Sequence, residues 1–560
     1  MGTSGNNKAF KVFSINTTVR NPERNLEFLK VFKTFNGMVF DDEIKLKYLI
    51  ELVKNGIYKF SIMSEAIKKK LLNDELLNEY EINELLERNP QKTGFAGRVM
   101  TQLRALKDQG ILVFSGNKKT PRITISKLGD SIIQNNESIT DIYSKIMIGL
   151  HANNPARTSM LNESRPFLNT LFVIAELKKY YDSQNKEFKG ILKDEFKSFV
   201  LGMKDCDYKK CANEIIEFRE KFGVKVSKES QNYIEQYLFD KEKLFRVKLN
   251  TLNDYADEMQ RKFEMTGLLR DRKIYLDFSV FNLGKVEQIL KEYKNYKFLN
   301  FKNQEEYINF LENIKLPWQE NKEYRKNIII QKAKYLGKDE ATLNFDNLNV
   351  LENKLNAEFN SNILSKEIQN CDLSVLIDEL KILSDSNNGI SKYESLSEPL
   401  RLEYILALIF GKKFGSEGLC SNLIYNENGL PISYAPGGKG DLIYKDFLIE
   451  ATMIKNKNQQ LNAETTSIAR HSKELQEKQK IEQRTMLIAP VIHWDVALFF
   501  KFCSKEFDSK LAPISIDAFL KLIENSPTLD CFRENYDVVI NQLLLKNTDD
   551  YIDCINKTKY

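Results

Sequence analysis

Residues 396–524 switch between helical and strand periods in an order that few folds accommodate. LSEPLRLEYILALIF (396–410) places Leu402, Ile405, Leu406 and Ile409 at helical spacing. Two short strand patterns follow within GKGDLIYKDFLIEATMIKNKNQ (438–459). A helical pattern from about 459 to 483 leads to the apolar strand TMLIAPVI (485–492). WDVALFFKFC adds a helix, and APISIDAFLKLIE adds a strand and another helix. This order predicts a mixed α/β domain built round one sheet, assigned to 391–560.

A chain of 560 residues is too long for a single apolar core. Three further units are expected: 1–149, 150–290 and a helical connector over 291–390 that packs on the C-terminal domain. In the first unit, NPERN puts Asn21 as cap and Pro22 at the first helical position, with Leu26, Leu29, Phe32 and Phe35 at helical spacing before Gly37. TGFAGRVMTQLRALKDQG (93–110) is a helix with Phe95, Val99, Leu103 and Leu106 inward. The strand ILVF, the turn SGNKKTP and the strand RITIS follow. Helix, strand, basic tip, strand is the winged-helix pattern. Between 92 and 127 eight basic residues face the single acid Asp108, a local net charge of +7. A solvated hairpin usually mixes signs, so this patch suits phosphates. GLLRDRKIYLDFSVFNLG (267–284) echoes it as a second wing-like hairpin, with chance similarity the alternative.

Net charge of +5 marks no bulk polycation, so the position of the charge carries the argument. Seven scattered cysteines and three histidines make a zinc site an unlikely design and point to a reducing compartment. The apolar runs LNTLFVIAEL and LIAPVIHWDVALFF are too short, or broken by His493 and Asp495, to cross a bilayer. A soluble, cytoplasmic protein without a membrane partner is expected.

The chemistry is expected in the two strands. Asp441 opens the first and Glu450 lies in the second, joined by the tight turn Lys445–Asp446. Two carboxylates on adjacent strands, with the Ala451 carbonyl, make a magnesium-type oxygen set. An acid on one strand and Glu-x-Lys on the next is a nuclease signature, but Thr452 stands where the lysine belongs. Glu403 is an acid in an apolar helix and wants a partner. Gln460, Glu464 and His471 lie four and seven apart, so one α-helical face would carry all three. Against this stands an ordinary solvated hairpin with acids on its surface.

Three stretches resemble the AlwI family of type IIS restriction endonucleases, a group that includes strand-specific nicking enzymes. They are NTTVRNPERN with EFLKVF, LRLEYILAL, and GDLIYKDFLIEATMIKNKNQQLNAETTSIARH. The resemblance implies a two-part DNA-recognition region up to about 290 and a C-terminal cleavage domain of the PD-(D/E)XK type. It matches the family's catalytic acids to Glu403, Asp441, Glu450 and Glu464, with His471 as a further catalytic candidate. Asp441, Glu450 and Glu464 would hold one or two Mg2+ ions. The family also carries Glu-x-Thr, so Thr452 does not argue for a dead site.

The expected function is a Mg2+-dependent endonuclease that binds a short asymmetric site in double-stranded DNA and cuts a few base pairs outside it. DNA contacts are expected from Arg98, Gln102 and Arg104 on the helix, Lys118 and Lys119 at the tip, and Arg20 and Arg24 near the N-terminus, the last two equally suited to structural ion pairs. Cutting both strands would need a second cleavage domain, from a transient homodimer or a separate subunit. Within LIAPVIHWDVALFFKF, part of Trp494, Phe499 and Phe500 is a candidate pairing face, with burial expected for most. A cognate DNA methyltransferase would protect the host. The alternatives are a nickase and a non-catalytic winged-helix DNA-binding protein or restriction-complex subunit.

Overall fold

The computed structural model describes the chain apart from residues 1–12, 14, 17–18, 20, 56, 59, 61, 74, 91–93, 135–136, 157–161, 225–226, 242–248, 273–274, 385–390, 434–439, 480–481, 508 and 557–560. At 235, 238–241, 249–250, 272, 463–464 and 478–479 it describes the backbone alone.

Pro22 starts a 3-10 turn that runs into α1 (Asn25–Phe32). Leu29, Phe32 and Phe35 are buried, and the chain reverses at Gly37 with φ +80, a left-handed value that glycine adopts without strain. Asn21 caps by position only; its side chain donates to Ser395 O at 2.8 Å instead. α2 (Glu65–Leu72) is N-capped by Ser64. α3 (Gly94–Lys107) buries Val99, Leu103 and Leu106. It leads through Gly110 into β1 (Leu112–Gly116) and β2 (Pro121–Ile125), an antiparallel hairpin with Leu112 opposite Ile125.

The wing-like echo folds differently. β3 (Ile191–Leu192) precedes α4 (Leu249–Glu264), and β4 (Leu269–Arg272) and β5 (Tyr275–Phe278) then join β3 in a three-stranded sheet of order β3-β5-β4. Residues on both sides of position 149 share one apolar core, which runs from Phe13 to Ile328.

The segment 291–390 divides between two cores rather than packing only on the C-terminal half. α5 (Gln304–Glu312) puts Tyr307 and Leu311 into the first core, and Trp318 and Ile328 follow. Gly110 and Gly149 matter here, because a Cβ at either would collide with Leu311. α6 (Leu348–Asn370) and α7 (Leu373–Ser384) turn Leu364, Ile368, Leu376 and Leu380 into the second core. Phe281 stacks on Phe359 at 4.1 Å between ring centroids, tying the two.

α8 (Glu398–Phe414) is buried almost all round, which its unbroken apolar run requires. β6 (Leu419–Ser421) is followed by a small hairpin, β7 (Ile424–Tyr425) and β8 (Pro431–Ser433). β9 (Leu442–Tyr444) and β10 (Phe447–Ala451) flank the turn Lys445–Asp446, where Lys445 takes φ +53. A turn Lys457–Gln459 and a π-helical stretch Gln460–Thr465 lead into α9 (Thr466–Gln479). β11 (Arg484–Ala489), α10 (Trp494–Glu506), β12 (Lys510–Ser515) and a helical tail that includes α11 (Leu529–Leu545) complete the fold. The five-stranded sheet has order β12-β11-β10-β9-β6. β10, β11 and β12 run parallel, whereas β9 and β6 pair antiparallel. β11 is buried at every position, as a parallel strand covered on both faces should be. The protein is thus mixed α/β. Among the described residues no helix is long and apolar enough to cross a membrane.

Candidate active site

The turn at Lys445–Asp446 sets the register Phe447 opposite Tyr444 and Ile449 opposite Leu442. Asp441 directly precedes β9, and Glu450 lies one residue past the last position at which β10 pairs with β9. Asp441 Oδ2 accepts the Ala451 amide at 2.8 Å, which fixes its carboxyl beside the second strand. Gly440 is required next to it: a Cβ there would lie 3.0 Å from Glu450 Oε1. Asn422, just past β6, donates its amide to Gly440 O and its backbone N–H to Asp441 O at 3.2 Å.

Glu450 is nearly buried, and its Oε1 lies 2.9 Å from His471 Nδ1 on α9. A carboxylate can only accept, so Nδ1 carries the hydrogen and Nε2 is the free ring nitrogen. Nε2 is buried and has no partner among the described residues. The bond to Glu450 raises the His471 pKa above the ordinary imidazole value, against the opposing effect of burial.

The other acid of the hairpin has a different environment. Asp446 is bonded by Arg484 at 2.7 Å and Arg533 at 2.6 Å, which together pull its pKa below the usual carboxylate value despite burial. Its charge is spent on holding the strand ends together. Glu450 is bonded by His471 instead, and Asp441 by the Ala451 amide.

Thr452 is buried, and its hydroxyl accepts the Ile454 amide at 3.2 Å, so it has a turn-forming role. Gln460 does not face the site with His471. It is fully buried, donating to Ile454 O and Val491 O and accepting from His493 N. The π-helical stretch adds a residue to the turn and breaks the 3.6-residue phase that the α-helical spacing assumed. Glu464 lies in that stretch, and its side chain is outside the described residues. Glu403 is buried on α8; burial raises the Tyr425 pKa, and the Glu403 charge adds to that rise. Among the described residues no three His, Cys, Asp or Glu side chains gather as a metal cluster.

On the N-terminal half, Arg98, Arg104, Lys118 and Lys119 are exposed. Gln102 is buried and cannot reach a base edge; at three residues from Val99 and four from Leu106 it shares their inward face. Arg24 bonds Ile57 O at 2.7 Å and Glu27 at 3.3 Å, the structural use of that arginine. Arg20 lies outside the described residues. The basic patch is also trimmed. Lys127 is bound to Glu312, and Lys107 lies over the Phe114 ring with its pKa lowered by burial.

A family model described as AlwI restriction endonuclease matches residues 111–522. Comparison with curated proteins gives no match. Among solved structures the chain is similar to the small subunit (R.BspD6I2) of the heterodimeric restriction endonuclease R.BspD6I, at 21% identity over 33% of this chain and 99% of that one, with a TM-score of 0.27. It is also similar to the BpuJ1 endonuclease binding domain, from a complex with pyrene- and phenanthrene-modified DNA, at 15% identity over 49% and 93% of the two chains and a TM-score of 0.28. Restriction endonuclease FokI matches at 10% identity over 93% of both chains with a TM-score of 0.24.

Proposed function

Because the chain belongs to the AlwI restriction endonuclease family, we propose that it is a type IIS enzyme, binding a short asymmetric DNA site with its N-terminal half and cutting outside it with a PD-(D/E)XK-type C-terminal domain. The observation that carries this reading is the pair of contacts at the end of β9 and β10, Asp441 Oδ2 on the Ala451 amide and Glu450 on His471.

The donor set fits magnesium. Two carboxylates on a rigid hairpin match an ion that takes one or two protein oxygens and otherwise keeps water. Asp441 and Glu450 would hold it, with Glu464 as the third ligand we propose. The ion would supply Lewis acidity and offset the charge that develops on the phosphate. The protein's own contribution is orientation and proton handling. Ala451 N–H and Asn422 fix Asp441, and His471 fixes Glu450. As water adds to phosphorus it gives up a proton, which we assign to His471 Nε2, and the bond to the leaving oxygen breaks as that oxygen takes a proton from solvent. This assigns to His471 part of the work that the absent Glu-x-Lys lysine does elsewhere.

DNA reading falls to the α3–β1–β2 unit, a winged-helix arrangement in which α3 presents Arg98 and Arg104, and the wing tip presents Lys118 and Lys119. Digestion of a randomised plasmid library with Mg2+, followed by sequencing of the ends, tests the proposal. Cuts at a fixed offset from one short asymmetric motif are expected, and none with a chelator. Specific binding without cutting in Mg2+ or Mn2+ would instead identify a non-catalytic subunit.

A further inference from the structure

The metal site does not stand on the C-terminal half alone. On the Asp441 side, the β7–β8 hairpin lies in the chain between Asn422 and Asp441. Its tip is tight: Asn426 N bonds Leu430 O at 2.9 Å, and Gly429 takes φ +93 hard against the Glu367 carboxyl. The tip reaches into the N-terminal half. Glu427 is 8% exposed and accepts from Arg270 at 2.8 Å, Ser279 at 2.6 Å and the Phe281 amide at 3.0 Å. The apolar side of the same hairpin, Ile424 and Ile432, packs with Tyr143 and Met265. The N-terminal half thus holds the tip, and the hairpin base holds Asp441 through Asn422.

On the Glu450 side, Asn456 is fully buried six residues past Glu450. Its amide donates to Leu71 O at 2.9 Å, at the end of α2 in the N-terminal half. Its other side-chain atom caps the helical stretch that carries Glu464 and His471, accepting from Gln459 N at 3.1 Å. One residue therefore joins the recognition half to the start of the catalytic helix.

We infer that Glu427 and Asn456 are positioning residues through which the N-terminal half braces both flanks of the metal site, so that the cleavage geometry depends on contacts made by the DNA-reading half. Each flank has its own bond across the halves, and each is one short segment from a proposed ligand or proton carrier. Neither residue touches the reacting atoms. The inference rests on the nuclease reading above.

The test uses the full chain and four variants: Glu427→Ala, Glu427→Gln, Asn456→Ala and Asn456→Asp. Asn456→Asp is the discriminating one. Aspartate caps a helix as well as asparagine does, so α9 keeps its start. It places a carboxylate oxygen against Leu71 O, however, and the brace is lost. Glu427→Gln keeps an acceptor for Ser279 and Phe281 N but loses the ion pair. Four readouts are compared with wild type: single-turnover cutting of cognate DNA, the Mg2+ concentration for half-maximal cutting, calorimetric Mg2+ binding to the DNA-free protein, and DNA affinity in Ca2+. We expect Asn456→Asp and Glu427→Ala to cut about 10- to 100-fold more slowly, as a misplacement of about 1 Å would cause. They should need several-fold more Mg2+ and bind DNA in Ca2+ within about twofold of wild type, with Glu427→Gln intermediate. Wild-type cutting and wild-type Mg2+ affinity in Asn456→Asp and Glu427→Ala would overturn the inference and leave the nuclease assignment standing. A wild-type chain that binds Mg2+ but cuts no DNA would overturn the nuclease assignment, and the calorimetric comparison would then decide the brace. A wild-type chain that neither binds nor cuts overturns both.

Discussion

Glu450→Gln separates catalysis from folding at the proposed metal site. The amide fills the same space as the carboxylate, so the contact with Gly440 and the packing beside Leu487 are unchanged. Two energies move in opposite directions. The 2.9 Å bond to His471 becomes neutral instead of charge-assisted, a loss of about 1 kcal/mol. Removing a charge from a side chain only 9% exposed returns a comparable amount. Stability should therefore stay within about 1 kcal/mol of wild type, a shift of a few degrees at most. The ligand is lost outright, and single-turnover cutting should fall by about 10²- to 10⁴-fold. The assay is conversion of supercoiled plasmid under excess enzyme in Mg2+, with affinity measured by gel shift in Ca2+ and unfolding followed by circular dichroism. A variant that still cuts above about one hundredth of the wild-type rate would refute the metal-site assignment. One that loses DNA binding along with cutting would refute the separation of reading from cutting.

Arg98→Ala and Arg104→Ala should weaken DNA binding and lower the slope of log affinity against log salt by about one unit for each lost phosphate contact; unchanged affinity in both would move the reading surface elsewhere. Gln102→Met, at a buried position whose Oε1 has no partner, should keep or raise the melting temperature and leave the cut site the same, and altered specificity would overturn its placement. Glu264 is raised by burial from 4.5 to about 8, so the folded state holds a proton that the unfolded state has released across that window. Stability should therefore fall as pH rises from about 5 to 8 and then level off; Glu264→Gln should flatten that part of the melting curve, and parallel curves for the two proteins would refute the shift. Trp494, Leu498 and Phe502 form an exposed stripe on α10 at i, i+4 and i+8, while Phe500 is buried and Phe499 partly so. If a second copy pairs there, Phe502→Ser should leave plasmid nicking intact and cut the yield of linear product several-fold; linear product that still rises more steeply than the first power of enzyme would exclude that face.

Local pattern carried the C-terminal domain a long way. α8 is apolar at every turn, the β9–β10 hairpin has a definite turn, and β11 is apolar from Met486 to Ala489 and ends where Pro490 removes an amide. Each is specified by its own residues. β6, β7 and β8 are two or three residues long, too short for a period to register, and they exist because Asn360, Asn422 and Glu427 find partners far away in sequence. The same limit applies to 291–390. Nothing local tells Leu311 to pack against Gly110 and Gly149 while Leu364 joins the other core. Which core a helix joins is decided by shape complementarity across hundreds of residues.

The site shows the same division more sharply. Placing Asp441 beside Glu450 needed only hairpin arithmetic, because strand side chains alternate and the turn length fixes the register. Distinguishing those two acids from Asp446 needed Arg484 and Arg533, one of them 87 residues away. The turn acid is clamped by guanidinium groups, whereas Asp441 accepts an amide and Glu450 meets an imidazole. Helical spacing failed at Gln460 for a definite reason. A π-helical stretch inserts a residue between Gln460 and His471, so the face that α-helical geometry assigns to both is held by His471 alone. The turn Lys457–Gln459 that precedes the stretch is capped by Asn456, and Asn456 is held by Leu71 O. The catalytic helix starts where a distant part of the chain fixes it, and His471 reaches Glu450 from that start.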